Sequence, residues 1–150
     1  MAEGIFRSLT KSNRRIGFVD SAGTSAYNLG NGPDMQTMAT LEENGITDYD
    51  HEARKVRDGD LTSFDYIFAM DGENLQDLLQ IQRRMARKRP AKFGRVMLFG
   101  DFGGKPGEEV GDPYYGAIDG FEIAYEQLHR FSEGFIKEVL NQNERPLKVE

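Results

Sequence analysis

Two short apolar runs constrain this chain more than any other feature. In FDYIFAMD, Tyr66 to Met70 is a nearly unbroken apolar stretch of strand length, and RVMLFGD supplies a second from Val96 to Phe99. Between them Gly72 to Arg87 carries Leu75, Leu78, Leu79 and Ile81 at helical spacing. Continuous apolar runs of this length suit strands buried on both faces. Two such strands joined by an amphipathic helix are parallel, because the helix carries the chain back to the end where the first strand began.

The rest of the chain extends the alternation. A β-rich run, Ile16 to Val19, stops at Asp20 and Ser21 and enters a long polar loop from Ser21 to Pro33. The opening MAEGIFRSLTKS reads as a helix with Met1, Ile5 and Leu9 on one face and Phe6 beside them, but with no capping residue ahead of it. In PDMQTMATLEENG, Asp34 after Pro33 is a plausible cap, Met35, Met38 and Leu41 recur at helical spacing, and Gly45 terminates the helix. The longest helical pattern runs from Ile118 to Leu140 through Phe121, Tyr125, Leu128, Phe131, Phe135 and Val139, and the tail after Asn141 is expected to fray. Helices and strands thus alternate from end to end. That order predicts an α/β fold with three layers, a parallel sheet of three strands and helices on both faces.

A length of 150 residues suits a single domain over 1–150. With 38% hydrophobic and 29% charged residues, and no apolar run near the roughly 18 residues of a membrane span, no membrane association is expected. Glu3 and Arg7 interrupt any signal-peptide core, so the expected location is cytoplasmic. A net charge of −6 argues against non-specific nucleic-acid binding. One basic run, RRMARKR from Arg83 to Arg89, sits where a helix ends before Pro90; its simplest reading is a solvated helix end favoured by the helix dipole. The sequence contains no cysteine, which removes disulfides, thiolate metal sites and every cysteine nucleophile from these residues. With two histidines, a multi-histidine zinc site is not expected either.

In parallel α/β sheets, sites gather at the carboxyl ends of the strands. Those ends carry Asp20 and Ser21, then Asp71, then Asp101, followed by GDPYYG from Gly111 to Gly116. Recurrent acids are compatible with a Mg²⁺ site, yet Asp also ends strands simply by bonding its own turn. GDPYYG is more specific. Pro113 drives Asp112 into an extended conformation, leaving its carboxylate free to project as a general acid beside the flat faces of Tyr114 and Tyr115. A turn whose tyrosines pack on the last helix accounts for the same residues.

Taken in order, DSAGTSAYNLG from Asp20, the pair Pro33–Asp34, NGI from Asn44, HEARKV from His51, FDYIFAMDGENLQDL from Phe64 and DPYYG with the following FEIAYEQL resemble the low-molecular-weight protein tyrosine phosphatases. MAEGIFRSL resembles the segment just after that family's phosphate loop, so the likeness runs from Met1 to about Leu140. It implies a four-stranded parallel sheet and a two-step reaction without a cofactor or metal, on phosphotyrosine proteins or small aryl phosphates. In the family a cysteine thiolate in a C-x5-R-S-P loop attacks phosphorus and displaces the phenol, while the loop amides and arginine hold the phosphoryl oxygens. An Asp in the DP motif protonates the leaving oxygen, then takes a proton from the water that breaks the sulfur–phosphorus bond. The resemblance assigns that role to Asp112. It also assigns pocket-lining roles to Tyr27 with its neighbour Asn28 and to Tyr114 and Tyr115, and support of the phosphate loop to Ser21 and His51.

The departure is as plain as the likeness. The phosphate loop and the strand that feeds it are expected immediately ahead of MAEGIF, so the 150 residues read as an N-terminally truncated member holding three of the family's four strands. The chain is therefore expected to be inactive as written, and to be unstable, partly collapsed or dependent on a partner that donates a strand. A non-catalytic relative acting as a binding module is the alternative.

Overall fold

The computed structural model describes residues 1–23, 35–49, 53–111 and 120–140. The elements follow the order α1 (Ala2–Thr10), α2 (Met35–Glu43), α3 (Asp60–Ser63), β1 (Tyr66–Ala69), α4 (Gly72–Lys88), β2 (Arg95–Leu98), a 3₁₀ turn over Phe99–Phe102, and α5 (Gly120–Phe135), which runs on as a π-helical turn to Leu140. Strands β1 and β2 pair in parallel, with Tyr66 opposite Arg95 and Ala69 opposite Leu98. This is the crossover unit expected from the two apolar runs.

Alternation along each strand sends side chains to two separate cores. Ile67 and Ala69 of β1, with Val96 and Leu98 of β2, pack beneath α4 on Leu75, Leu78 and Ile81 and against Leu61 of α3. Tyr66, Phe68 and Met97 face the other way, into a larger core built by Ile5 and Phe6 of α1, Leu41 of α2 and Phe131 and Phe135 of α5. This second core is aromatic. Phe68 stacks on Phe99 at 4.7 Å and meets Phe102 and Phe135 edge to face at 5.6 and 5.2 Å, arrangements that add about 0.5–1.5 kcal/mol per pair beyond burial. The closeness of the 3₁₀ turn to the last helix depends on Gly134, where an added Cβ would stand 1.8 Å from the Phe102 carbonyl oxygen.

Gly45 ends α2 as expected. It has φ +83°, and the Ile46 and Gly45 amides donate to the carbonyls of Leu41 and Glu42 at 2.8 and 3.0 Å, which closes the helix with a left-handed residue. The proposed Asp34 cap lies outside the described residues.

The sheet differs from expectation in one respect. Among the described residues it has two strands, not three, because Ile16–Val19 has no ladder partner. Beyond that segment Gly23 makes an isolated parallel bridge with Lys55, with hydrogen bonds of 2.9 Å from the Gly23 amide to the Arg54 carbonyl and from the Val56 amide to the Gly23 carbonyl. Apolar side chains favour an extended chain, but only a neighbouring strand makes a strand of it. For the same reason Tyr66, Ile67 and Phe68 are half-buried, not fully enclosed, and only Ala69 of β1 is buried.

Candidate functional site at the carboxyl end of the sheet

α1 begins beside the end of the Ile16–Asp20 segment. No side chain caps its first turn, and Met1 occupies the capping position. The turn instead carries Glu3, which is buried at 4% exposure. Ser21 donates its hydroxyl to Glu3 Oε1 at 3.1 Å, and Arg7 approaches Glu3 Oε2 at 3.5 Å one turn along the helix. Tyr49 is buried beside them; burial first, then the Glu3 charge, pushes its phenol well above the ordinary tyrosine range. The phenol is thus neutral at any physiological pH. Close approach here requires Gly4, where a Cβ would meet Leu41 and the Tyr49 ring at 3.1 Å.

Beside this group, Arg54 ties two acids together. Its Nε donates to Asp20 Oδ2 at 2.9 Å and its Nη1 to Asp60 Oδ2 at 2.8 Å, with all three side chains at most 22% exposed. Burial alone would raise the Asp20 pKa, but the hydrogen bonds from Arg54 and from the Ser21 amide outweigh it and hold the carboxyl below its usual value.

A third arrangement holds the loop that leads to GDPYYG. Arg130 of α5 makes a two-pronged pair with Glu108, Nη1 to Oε1 at 2.9 Å and Nη2 to Oε2 at 2.7 Å, and also donates to the Gly103 carbonyl at 2.7 Å. Gln127 adds a bond to Glu108 at 3.0 Å, and the Val110 amide donates to the Met70 carbonyl at 2.9 Å. The hydrogen bonds from Arg130 bring the Glu108 pKa down to about 2 against the opposing effect of burial. Residues 103–110 are thereby pinned between the end of β1 and α5, two residues short of Asp112.

The other acids at the strand ends serve the backbone. Asp71 caps α4 by accepting from the Asn74 amide at 2.8 Å, and Asp101 accepts from the Gly107 amide at 2.7 Å. Those bonds give both carboxylates the turn-forming role. Among the described residues, no group of three or more His, Asp or Glu side chains is placed to hold a metal ion.

Of the site residues assigned by the resemblance, Ser21 is described, with its hydroxyl bonded to Glu3. Tyr27, Asn28, His51, Asp112, Tyr114 and Tyr115 lie outside the described residues. Glu3, Tyr49, Arg54, Glu108 and Arg130 were not singled out. Glu3 and Arg130 had local signals, spacings of four from Arg7 and Glu126, but other partners of Arg54 and Arg130 are as far as 34 and 27 residues away in sequence.

The profile of the family described as low molecular weight phosphotyrosine protein phosphatase matches residues 1–145. The chain belongs to that family. Among curated members it is 41% identical over 144 residues to the low molecular weight phosphotyrosine protein phosphatase of Schizosaccharomyces pombe, covering 93% of this chain and 87% of that one. It is 35% identical over 139 residues to the human protein of the same name, with 91% and 85% covered. Among solved structures, a Drosophila arginine phosphatase superposes with a TM-score of 0.79 at 32% identity, covering 97% of this chain and 89% of that one. The phosphatase family thus supplies both the sequence likeness and the α/β fold with a parallel sheet, and no helix among the described residues is long and apolar enough to cross a membrane.

Proposed function

We propose that this chain is the body of a phosphotyrosine phosphatase whose nucleophile must come from outside these 150 residues. The single observation that carries the proposal is the pairing of a family match over residues 1–145 with a sequence free of cysteine. In this reading Asp112 is the general acid and then the general base. Tyr27, Asn28, Tyr114 and Tyr115 wall the substrate pocket, and Ser21 and His51 brace the phosphate loop from behind. The Ser21–Glu3 bond supports the bracing role, since it fixes the hydroxyl at the start of α1.

Chemistry requires the thiolate. A sulfur–phosphorus bond has to form as the phosphorus–oxygen bond to the phenol breaks, with the proton going from Asp112 to the phenolate oxygen; no residue here supplies that sulfur. Phosphatase activity is assigned to a product carrying a C-x5-R-S-P loop ahead of Met1. The test is to read the in-frame sequence upstream of the Met1 codon and to express the extended chain. Aryl-phosphate turnover that disappears on Asp112→Ala is expected, and an upstream frame without the motif would refute it. The absence of cysteine equally supports a second reading, a non-catalytic binding module, for which the folded 150-residue chain has to bind a phosphotyrosine peptide.

A further inference from the structure

The sequence RRMARKRPAKFGR, Arg83 to Arg95, holds seven of the chain's 19 lysines and arginines and none of its 25 acids. No acidic residue occurs between Asp77 and Asp101, while the protein as a whole is negative. All seven basic side chains are exposed. Arg84 pairs with Asp58 at 2.8 Å; among the described residues Arg83, Arg87, Lys88, Arg89, Lys92 and Arg95 have no carboxylate partner. Elsewhere Arg7, Arg54 and Arg130 are each committed to acids.

The helix dipole explains only part of this concentration. Its influence is confined to the last turn, which contains Arg87 and Lys88. Arg89, Lys92 and Arg95 follow the helix, and Arg95 opens β2. The patch therefore wraps the amino end of the sheet, opposite the carboxyl end where the site is built.

We infer that the Arg83–Arg95 surface is a docking site for a short acidic segment of a protein partner. Charge complementarity selects that occupant, and the Arg84–Asp58 pair shows a carboxylate already seated at one edge. The helical part, Arg83 to Lys88, spans only about 8 Å. A polynucleotide longer than the patch would run onto the acid-rich remainder, within about one screening length of it. An anionic membrane is disfavoured because the large exposed apolar residues among those described, Leu9, Phe18, Met35 and Ile123, all lie outside this segment. A docked acidic segment leaves the carboxyl end of the sheet open, so a tethered substrate can occupy both at once. The inference is independent of where the nucleophile comes from.

The test is fluorescence anisotropy of a labelled octaglutamate peptide titrated with the 150-residue chain at about 20 and about 200 mM salt. Binding at low salt, weakened about tenfold or more by the added salt and by the triple substitution Arg87→Gln, Lys88→Gln, Arg89→Gln, is expected. Replacing Lys105 and Lys137, exposed cations elsewhere, with Gln has little effect. Unfolding curves confirm that both variants remain folded like the parent. No binding at low salt, equal binding by the triple variant, or tighter patch-dependent binding to duplex DNA or phosphatidylserine vesicles would overturn the inference.

Discussion

Arg54 spans Asp20 and Asp60, and at the carboxyl end of the sheet Arg130 grips Glu108 with both arms of its guanidinium. At the amino end, the exposed cations from Arg83 to Arg95 mostly face water, with only Arg84 paired among the described residues. The difference follows from burial. A charge withdrawn from water has to be matched by hydrogen bonds and an opposite charge, while a solvated one is screened and tolerates being alone. Paired charge is structural, and the exposed charge at the amino end is what the proposed docking of an acidic segment uses.

Breaking the paired end carries the largest expected effects. Arg54→Ala leaves two half-buried carboxylates facing each other without their cation and is expected to cost about 2–3 kcal/mol, measured by chemical unfolding. A loss no larger than that of an exposed lysine would show that water replaces the guanidinium. Arg130→Met preserves much of the stem packing but removes the Glu108 clamp, for about 1–2 kcal/mol, and should raise hydrogen exchange across residues 103–110.

Acid probes the same clamp. The Glu108 pKa is depressed from 4.5 to about 2 in the folded chain, so the unfolded state binds its proton first as pH falls. Its stabilising contribution is full above about pH 4.5 and is lost progressively as pH drops toward 2. Glu108→Gln should flatten the stability profile in that window; an unchanged slope would place the acid sensitivity elsewhere. At the other end, Arg89→Gln should shift stability by less than about 0.5 kcal/mol, the smallest effect of the series.

Elements with a local cause were legible in the sequence. Gly45 ends α2 because only a left-handed residue closes that turn, and the two apolar runs pair in parallel because α4 has to cross between them. Ile16–Val19 shows where local reading stops: its side chains suit a strand, but strand identity depends on a neighbour that the run itself does not encode. The site divides in the same way. Ser21 is marked by its motif and its hydroxyl bonds Glu3, while Tyr49 and Arg54 take their surroundings from groups brought beside them by folding.

The most direct test of the central claim is hydrolysis of p-nitrophenyl phosphate by the purified 150-residue chain beside its Asp112→Ala variant. The account predicts no release of p-nitrophenol above the buffer rate from either, because no thiolate is present to take the phosphoryl group. Turnover by the parent chain that is lost in the Asp112→Ala variant would contradict it.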